Sequence, residues 1–226
     1  MLKLATSEQR DFYEKKLYPM QDKIFSLLQS DKFYLTGGTC LSRFYYNHRY
    51  SDDLDFFFMG TDFRREDFEA EFREIQKRIH LSFNSKLEIS SDYFKRLTVF
   101  ENEQTLKVEF IYENFQMVQK PIRNDLIFLD TKENIFGNKL TAIHGRKTTK
   151  DYFDLFFLLK ELKLSDGIKW SEFKHAPVDY EGAVLSLVGG QLEGDVFMMQ
   201  EIKLDDFNEF QNNLITELLS YAKTVS

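Results

Sequence analysis

The sequence predicts an α+β fold: a sheet with flanking helices over about 1–131, then a helical half over about 132–226. Three observations carry this reading. Short apolar or alternating runs, among them FYLT, LDFFFM and TLKVEFIY, have the period and composition of strands. Longer stretches repeat apolar residues at the three-to-four spacing of amphipathic helices. Prolines fall only at 19, 121 and 177, so long helices meet few breaks.

Each element follows from its residues. Residues 7–29 set Tyr13, Leu17, Met20, Ile24 and Leu27 on one helical face, with Ser7 as the N-cap. Lys32–Thr36 is a short strand ending at the pair Gly37–Gly38, and Thr39–Asn47 is a helix that turns Leu41, Phe44 and Tyr45 inward. Leu54–Met59 is almost continuously apolar, as expected of a strand covered on both faces. Arg65–Ile79 is a helix with Phe68, Phe72, Ile75 and Ile79 in register. Phe94–Phe100 and Thr105–Tyr112 form a hairpin across the polar tetrad Glu101–Gln104, and Leu126–Leu129 adds a strand. Beyond it, Asn134–His144 and Lys150–Leu162 are helices across a basic turn, and Asp205–Lys223 is another, while 163–200 shows little pattern.

Composition bounds the function. A net charge of −7 opposes broad, unspecific nucleic-acid binding, although a local basic patch stays compatible with it. The single cysteine, Cys40, cannot form an internal disulfide and reads as a small buried residue rather than a reactive thiol. No run approaches about 18 continuous apolar residues, so no membrane span is expected. The start, MLKLATSEQR, is too polar for a signal peptide, and a cytoplasmic location is expected. The 24 phenylalanines and 11 tyrosines imply an aromatic interior and decide nothing about function.

The chemistry concentrates in carboxylates. Asp53 and Asp55, two apart, share one face of a strand, where like charges repel and packing gives no reason for them. A divalent cation gives that reason. Alternation puts Asp52 on the opposite side. Glu109, in mid-strand between Val108 and Phe110, is either an exposed-face residue or a third carboxylate for the same metal. The glycine pair is either a tight turn or a place where backbone approaches a phosphate. Lys139, His144, Arg146, Lys147 and Lys150 make either a solvated turn or a local positive patch. Asp151 suits a helix start, whereas Asp154, followed by LFFLL, suits an ion pair to Lys139 or Arg146. The four histidines, His48, His80, His144 and His175, lack zinc-ligand spacing.

Taken together, these residues resemble a family. A glycine pair, a helix, Asp-x-Asp on a strand and an acid on a later strand resemble the DNA polymerase β-like nucleotidyltransferase superfamily. More narrowly, Gly37, Gly38, Thr39 and Leu41, then Arg49, Ser51, Asp53, Leu54, Asp55 and Phe56, resemble the pattern of the AbiEii toxin family. Lys139, Ala142, Arg146, Asp151 and Asp154 resemble its second block, and the likeness spans about Phe33–Leu159.

The resemblance implies a polymerase β-like mixed sheet with flanking helices over 1–131, and a helical domain over 132–226 that completes the cleft. It implies transfer of a nucleoside monophosphate from a nucleoside triphosphate (NTP) onto an acceptor, by in-line displacement at the α-phosphate. Asp53, Asp55 and Glu109 would hold one or two Mg²⁺, and Glu109 would help activate the attacking hydroxyl. Gly37, Gly38, the Thr39 amide and hydroxyl, and Ser51 belong to the phosphate-binding block. Arg49 would reach the triphosphate or brace the aspartates; Lys139 and Arg146 would supply positive charge, and Asp154 would orient them. Some relatives modify the 3′ end of tRNA, so tRNA is the acceptor to test first, and a separately encoded antitoxin is an expected partner in a phage-defence setting. Two alternatives stay open: a small-molecule nucleotidyltransferase of the aminoglycoside-modifying type, which the net acidity favours, and a non-catalytic nucleotide-binding module.

Overall fold

A seven-stranded mixed sheet organises the computed structural model, which describes residues 1–60, 64–113, 116–188 and 192–225. In chain order its strands are β2 (Phe33–Thr36), β3 (Leu54–Phe58), β4 (Asn84–Ser90), β5 (Phe94–Glu101), β6 (Gln104–Ile111), β7 (Ile122–Asn124) and β8 (Ile127–Leu129). They lie side by side as β4-β5-β6-β3-β2-β8-β7. β3 runs parallel to β6 and antiparallel to β2, and β8 runs parallel to β2. A separate two-stranded ribbon pairs β1 (Leu2–Leu4) with β9 (Val196–Met198) in parallel.

The sheet's inner face is built by alternation. Leu54, Phe56 and Phe58 on β3, Phe33 and Leu35 on β2, and Val108 and Phe110 on β6 are all buried. The register sets Phe56 against Phe110, whose rings stack 5.5 Å apart. Helix α4 (Arg65–Ser82) covers this face with Phe68, Phe72, Ile75 and Ile79, the four residues its periodicity selects. Each such side chain contributes about 1.5–3 kcal/mol on burial. The expectation that β3 is covered on both faces is corrected: Asp55 and Phe57 are only half-buried, because the opposite face of the strand lines a cavity.

The first long helix starts at Ser7, as expected, but its cap lies one residue earlier. Thr6, not Ser7, is the N-cap: its hydroxyl accepts from the Gln9 amide while the Gln9 side chain accepts from the Thr6 amide. It runs as α1 (Ser7–Phe12), a π-helical turn at Tyr13–Leu17 and α2 (Tyr18–Leu28). The expected helix after β2 starts at Gly37, as α3 (Gly37–Cys40), and continues in π-helical form over Leu41–Tyr46. It stops at Asn47, whose φ of 48° is left-handed.

The second half is helical: α5 (Lys132–Ala142), α6 (Thr149–Leu158), α7 (Leu164–Phe173), α8 (Tyr180–Val188) and α9 (Leu204–Val225). Thr131 caps α5 through the Asn134 amide. Helix α6 is buried along its whole aromatic run, Tyr152, Phe153, Phe156 and Phe157 included. One hydrophobic core is continuous from Tyr13 through Phe110 to Leu218.

Candidate active site

Strand register assembles the centre of the site. Thr36 on β2 lies opposite Asp55 on β3, Asp55 beside Glu109 on β6, and Glu109 opposite Arg96 on β5. These four residues form one row across the sheet, on the face away from the aromatic core. Asp53 immediately precedes β3 and lines the same cavity, of about 740 Å³, as Asp55 and Glu109. The predicted acid triad is thus brought to one floor.

Two cations hold its flanks. Lys107 Nζ is 2.8 Å from Asp53 Oδ2 and 3.8 Å from Glu109 Oε1. Arg96 donates to Glu109 Oε1 at 2.8 Å and 2.7 Å through Nε and Nη2. Asp55 has no such partner among the described residues: burial, then Glu109, then Asp53 push its carboxyl up to about 6. Among the described residues no three acidic or histidine side chains converge into a ready metal cage. The donor chemistry nevertheless fits Mg²⁺, since all three are hard oxygen ligands and Asp55 is strained by like charge. Lys107 stands where part of that positive charge would act.

Asp52 does not lie away from the site as alternation suggested. It also lines the cavity, and its Oδ1 accepts from the Tyr13 hydroxyl at 2.7 Å. The reason is local: β3 begins at Leu54, so residues 52 and 53 precede the alternating stretch.

The two glycines are each required by a different neighbour. Gly37 has φ 71°, and a Cβ there would stand 3.0 Å from Asp55 Oδ2. At Gly38 a Cβ would stand 2.1 Å from Arg49 Nη2. Thr39 departs from its expected role, because its hydroxyl is buried against the Asp53 carbonyl and the Ser51 hydroxyl. Its amide alone remains for a phosphate. Thr39 and Ser51 instead fix the approach to β3.

Beneath the glycines lies a buried ionic cluster. Arg49 grips Asp154 with Nε at 2.7 Å from Oδ1 and Nη2 at 2.9 Å from Oδ2, so it braces neither Asp53 nor Asp55. His48 Nε2 is 2.8 Å from the same Oδ1. Lys139, from α5, stands 2.6 Å from both Asp151 Oδ1 and Asp154 Oδ2. Burial opposes the Asp154 charge, yet Arg49 and Lys139 hold its carboxyl well below the usual range. Asp154 is fully buried, so it positions these cations rather than touching a ligand. Its partners are Arg49, His48 and Lys139, not Arg146.

Asp151, in the first turn of α6, accepts from the Thr148 hydroxyl as well as from Lys139, and no side chain among the described residues caps the helix amides there. Arg146 and Lys150 are exposed at the cavity rim, with no ion pair among the described residues. Cys40 is fully buried beside the Asp130 carbonyl, and burial pushes its thiol well up, as a structural residue requires.

Sequence reasoning missed several residues. Arg96 and Lys107 belong to no motif, and the register and side-chain contacts bring them to the acids. Lys174, Asn138 and Glu113 line the same cavity without any motif. Asp130, buried below Thr36, accepts from its hydroxyl at 2.6 Å and from Asn134 Nδ2 at 2.8 Å.

Comparison with known proteins identifies relatives of this fold and sequence. Over its full length the fold is similar to a putative nucleotidyltransferase from H. pylori (TM-score 0.60, 21% identity, 98% of this chain and 99% of that one). It is also similar to MenT4, the nucleotidyltransferase toxin Rv2826c of Mycobacterium tuberculosis H37Rv (TM-score 0.57, 14% identity, 90% and 82% covered). An uncharacterized protein of Aquifex aeolicus (strain VF5) is 31% identical over 175 residues, 74% of this chain and 78% of that protein. Residues 22–220 match the family model described as nucleotidyl transferase AbiEii toxin, type IV TA system. With its acid row, glycine pair and buried lysine in this order, the chain belongs to the AbiEii nucleotidyltransferase toxin family.

Proposed function

We propose that this protein moves a nucleoside monophosphate from an NTP to the 3′ end of tRNA in a Mg²⁺-dependent reaction, as the toxin of a toxin–antitoxin pair. The observation that carries the proposal is the row Asp55–Glu109, with Asp53 beside it, facing Gly37 across one cavity.

In this reading Asp53, Asp55 and Glu109 hold one or two Mg²⁺, which when bound neutralise charge on the reacting phosphate. Glu109 accepts the proton of the attacking hydroxyl, whose oxygen bonds the α-phosphorus as the bond to the bridging oxygen breaks and pyrophosphate leaves. The backbone amides of Gly38 and Thr39 receive the β- and γ-phosphates. Lys139, immobilised by Asp151 and Asp154, presents a fixed positive charge to the triphosphate, while Arg146 and Lys150 meet it from the rim. Residues 132–226 then act as a second domain completing the cleft over 1–131. A cytoplasmic location, a role in phage defence and control by a separate antitoxin belong to the same proposal. No helix among the described residues is long and apolar enough to cross a membrane.

The test is incubation with each α-labelled NTP, Mg²⁺ and total tRNA. Transfer of label to tRNA that disappears in Asp53→Ala and without Mg²⁺ is the expected result. Binding of NTP without transfer to RNA would overturn the tRNA assignment and turn attention to small-molecule acceptors or a binding module.

A further inference from the structure

One part of the cavity is built unlike the phosphate end. Lys174, at the C-terminus of α7, is 6% exposed, yet no carboxylate among the described residues reaches ion-pairing distance of its ammonium. Its one hydrogen bond goes to Asn138 Oδ1, which leaves two of its three donors for the cavity. Burial lowers its pKa, against the opposing pull of Asp130 and Glu113. Glu113, half-buried on the same lining, has no hydrogen bond among the described residues, and burial raises its carboxyl. Phe57, Ile111 and Ile135 supply apolar lining of the same cavity.

A buried ammonium with donors to spare, beside a half-buried carboxylate, gains from a ligand that completes its hydrogen bonds. A phosphate is a poor candidate, because Glu113 and Asp130 set negative charge around the lysine. A planar neutral group with hydrogen-bond donors and acceptors along one edge satisfies Lys174, Glu113 and the Asn138 amide together, while its faces take the apolar lining. Resting on the nucleotidyl-transfer reading above, we propose that this compartment receives the base of the NTP and that Lys174 selects among bases. A site built to hydrogen-bond one edge penalises a ligand that leaves its polar groups unpaired.

The experiment is calorimetric titration of the full chain in Mg²⁺ with ATP, GTP, CTP, UTP and inorganic tripolyphosphate. For the unmodified protein the four NTP affinities should span about tenfold or more. Lys174→Met should compress that span to about twofold while leaving tripolyphosphate within about twofold, and Lys174→Arg should restore a span. An unchanged span in Lys174→Met, or a parallel loss of tripolyphosphate affinity, would overturn the assignment. Should Lys174→Met fail to melt cooperatively, Glu113→Gln serves instead: it should change the order of the four NTPs, and an unchanged order counts against the proposal. NTPs that bind the unmodified protein equally defeat this inference alone. Absence of any NTP binding defeats the nucleotidyl-transfer reading with it.

Discussion

Asp154→Asn should be among the most damaging single substitutions in the cleft, and its cost can be worked from the contacts. One carboxylate serves Arg49 through two hydrogen bonds, His48 through one, and Lys139 through an ion pair at 2.6 Å. Both Arg49 and Asp154 are buried, so removing the charge leaves a guanidinium without compensation. Lys139 keeps Asp151, so its loss is partial. Breaking a buried pair from one side costs about 3–5 kcal/mol. With an m-value of about 3 kcal/mol/M, that lowers the urea midpoint by about 1–1.7 M. The cost is a large share of the roughly 5–15 kcal/mol that holds a typical protein together. Because the folded Asp154 pKa lies below its unfolded value, this stability is present above the ordinary carboxylate range and is lost progressively as pH falls from there through the lower folded value. Urea melts at successively lower pH, starting below about 4, should therefore show a narrowing gap between wild type and variant. The double variant Arg49→Met/Asp154→Leu should recover part of the loss, because two apolar groups leave no unpaired charge. A cost below about 1 kcal/mol at pH 7, or a double variant worse than both singles together, would refute the buried-cluster argument.

Other outcomes follow from the same geometry. Gly38→Ala should lower the melting temperature by about 2–12 °C, from roughly 1–3 kcal/mol of overpacking against an arginine that Asp154 prevents from yielding. Gly145→Ala, with nothing within 4 Å of the added methyl, is the control and should stay within about 1 °C. Asp130 has a folded pKa near 6, raised by burial, so the folded state keeps a proton that the unfolded state releases. Its contribution is full below the unfolded value and lost as pH rises from about 4 to 6, and Asp130→Asn should flatten that part of a stability-against-pH curve. Lys107→Met should tighten Mn²⁺ binding, measured by the loss of the free-ion EPR signal, because Asp53 is released from its ammonium; weaker binding would count against Asp53 as a ligand.

How much of this was legible in the sequence differs by element. The α4 face was read residue for residue, because a one-sided amphipathic helix writes its burial into its period. The β5–β6 hairpin was legible for the same reason, at period two. Strands β1 and β9 were not: three residues each are too short for a period, and their pairing spans almost the whole chain. β4 is an exposed edge strand, so its alternation lacks the apolar half that marks a strand. At the site, residue identities were legible and partners were not. Spacing put Asp53, Asp55 and Glu109 forward, but only the parallel register of β3 with β6 sets Asp55 beside Glu109. The family resemblance put Thr39 and Arg49 forward, the apolar run after Asp154 drew attention to that acid, and the contacts of each are with neighbouring protein groups. Lys174 carried no signal, since a lysine near a helix end is ordinary until the fold buries it.

The ionisable residues of the cleft fall into two groups with different charge balance. On the helical side Arg49 and Lys139 face Asp151 and Asp154, two cations against two acids, each in hydrogen-bond contact. That group balances its own acids and has no electrostatic use for a further cation. On the sheet side the ion-pairing cations of Asp53, Asp55 and Glu109 among the described residues are Lys107 and Arg96. Three acids against two cations leave one negative charge over, and it falls on Asp55, the member whose carboxyl the other two push up. A cavity floor with an uncompensated carboxylate favours whatever brings positive charge to it. Protonation meets that demand only below about pH 6; at higher pH a bound cation is what removes it. The sheet group is therefore the part of the molecule whose electrostatics are incomplete without a ligand, and the helical group is the rigid wall that keeps Lys139 and the glycine turn in place around it.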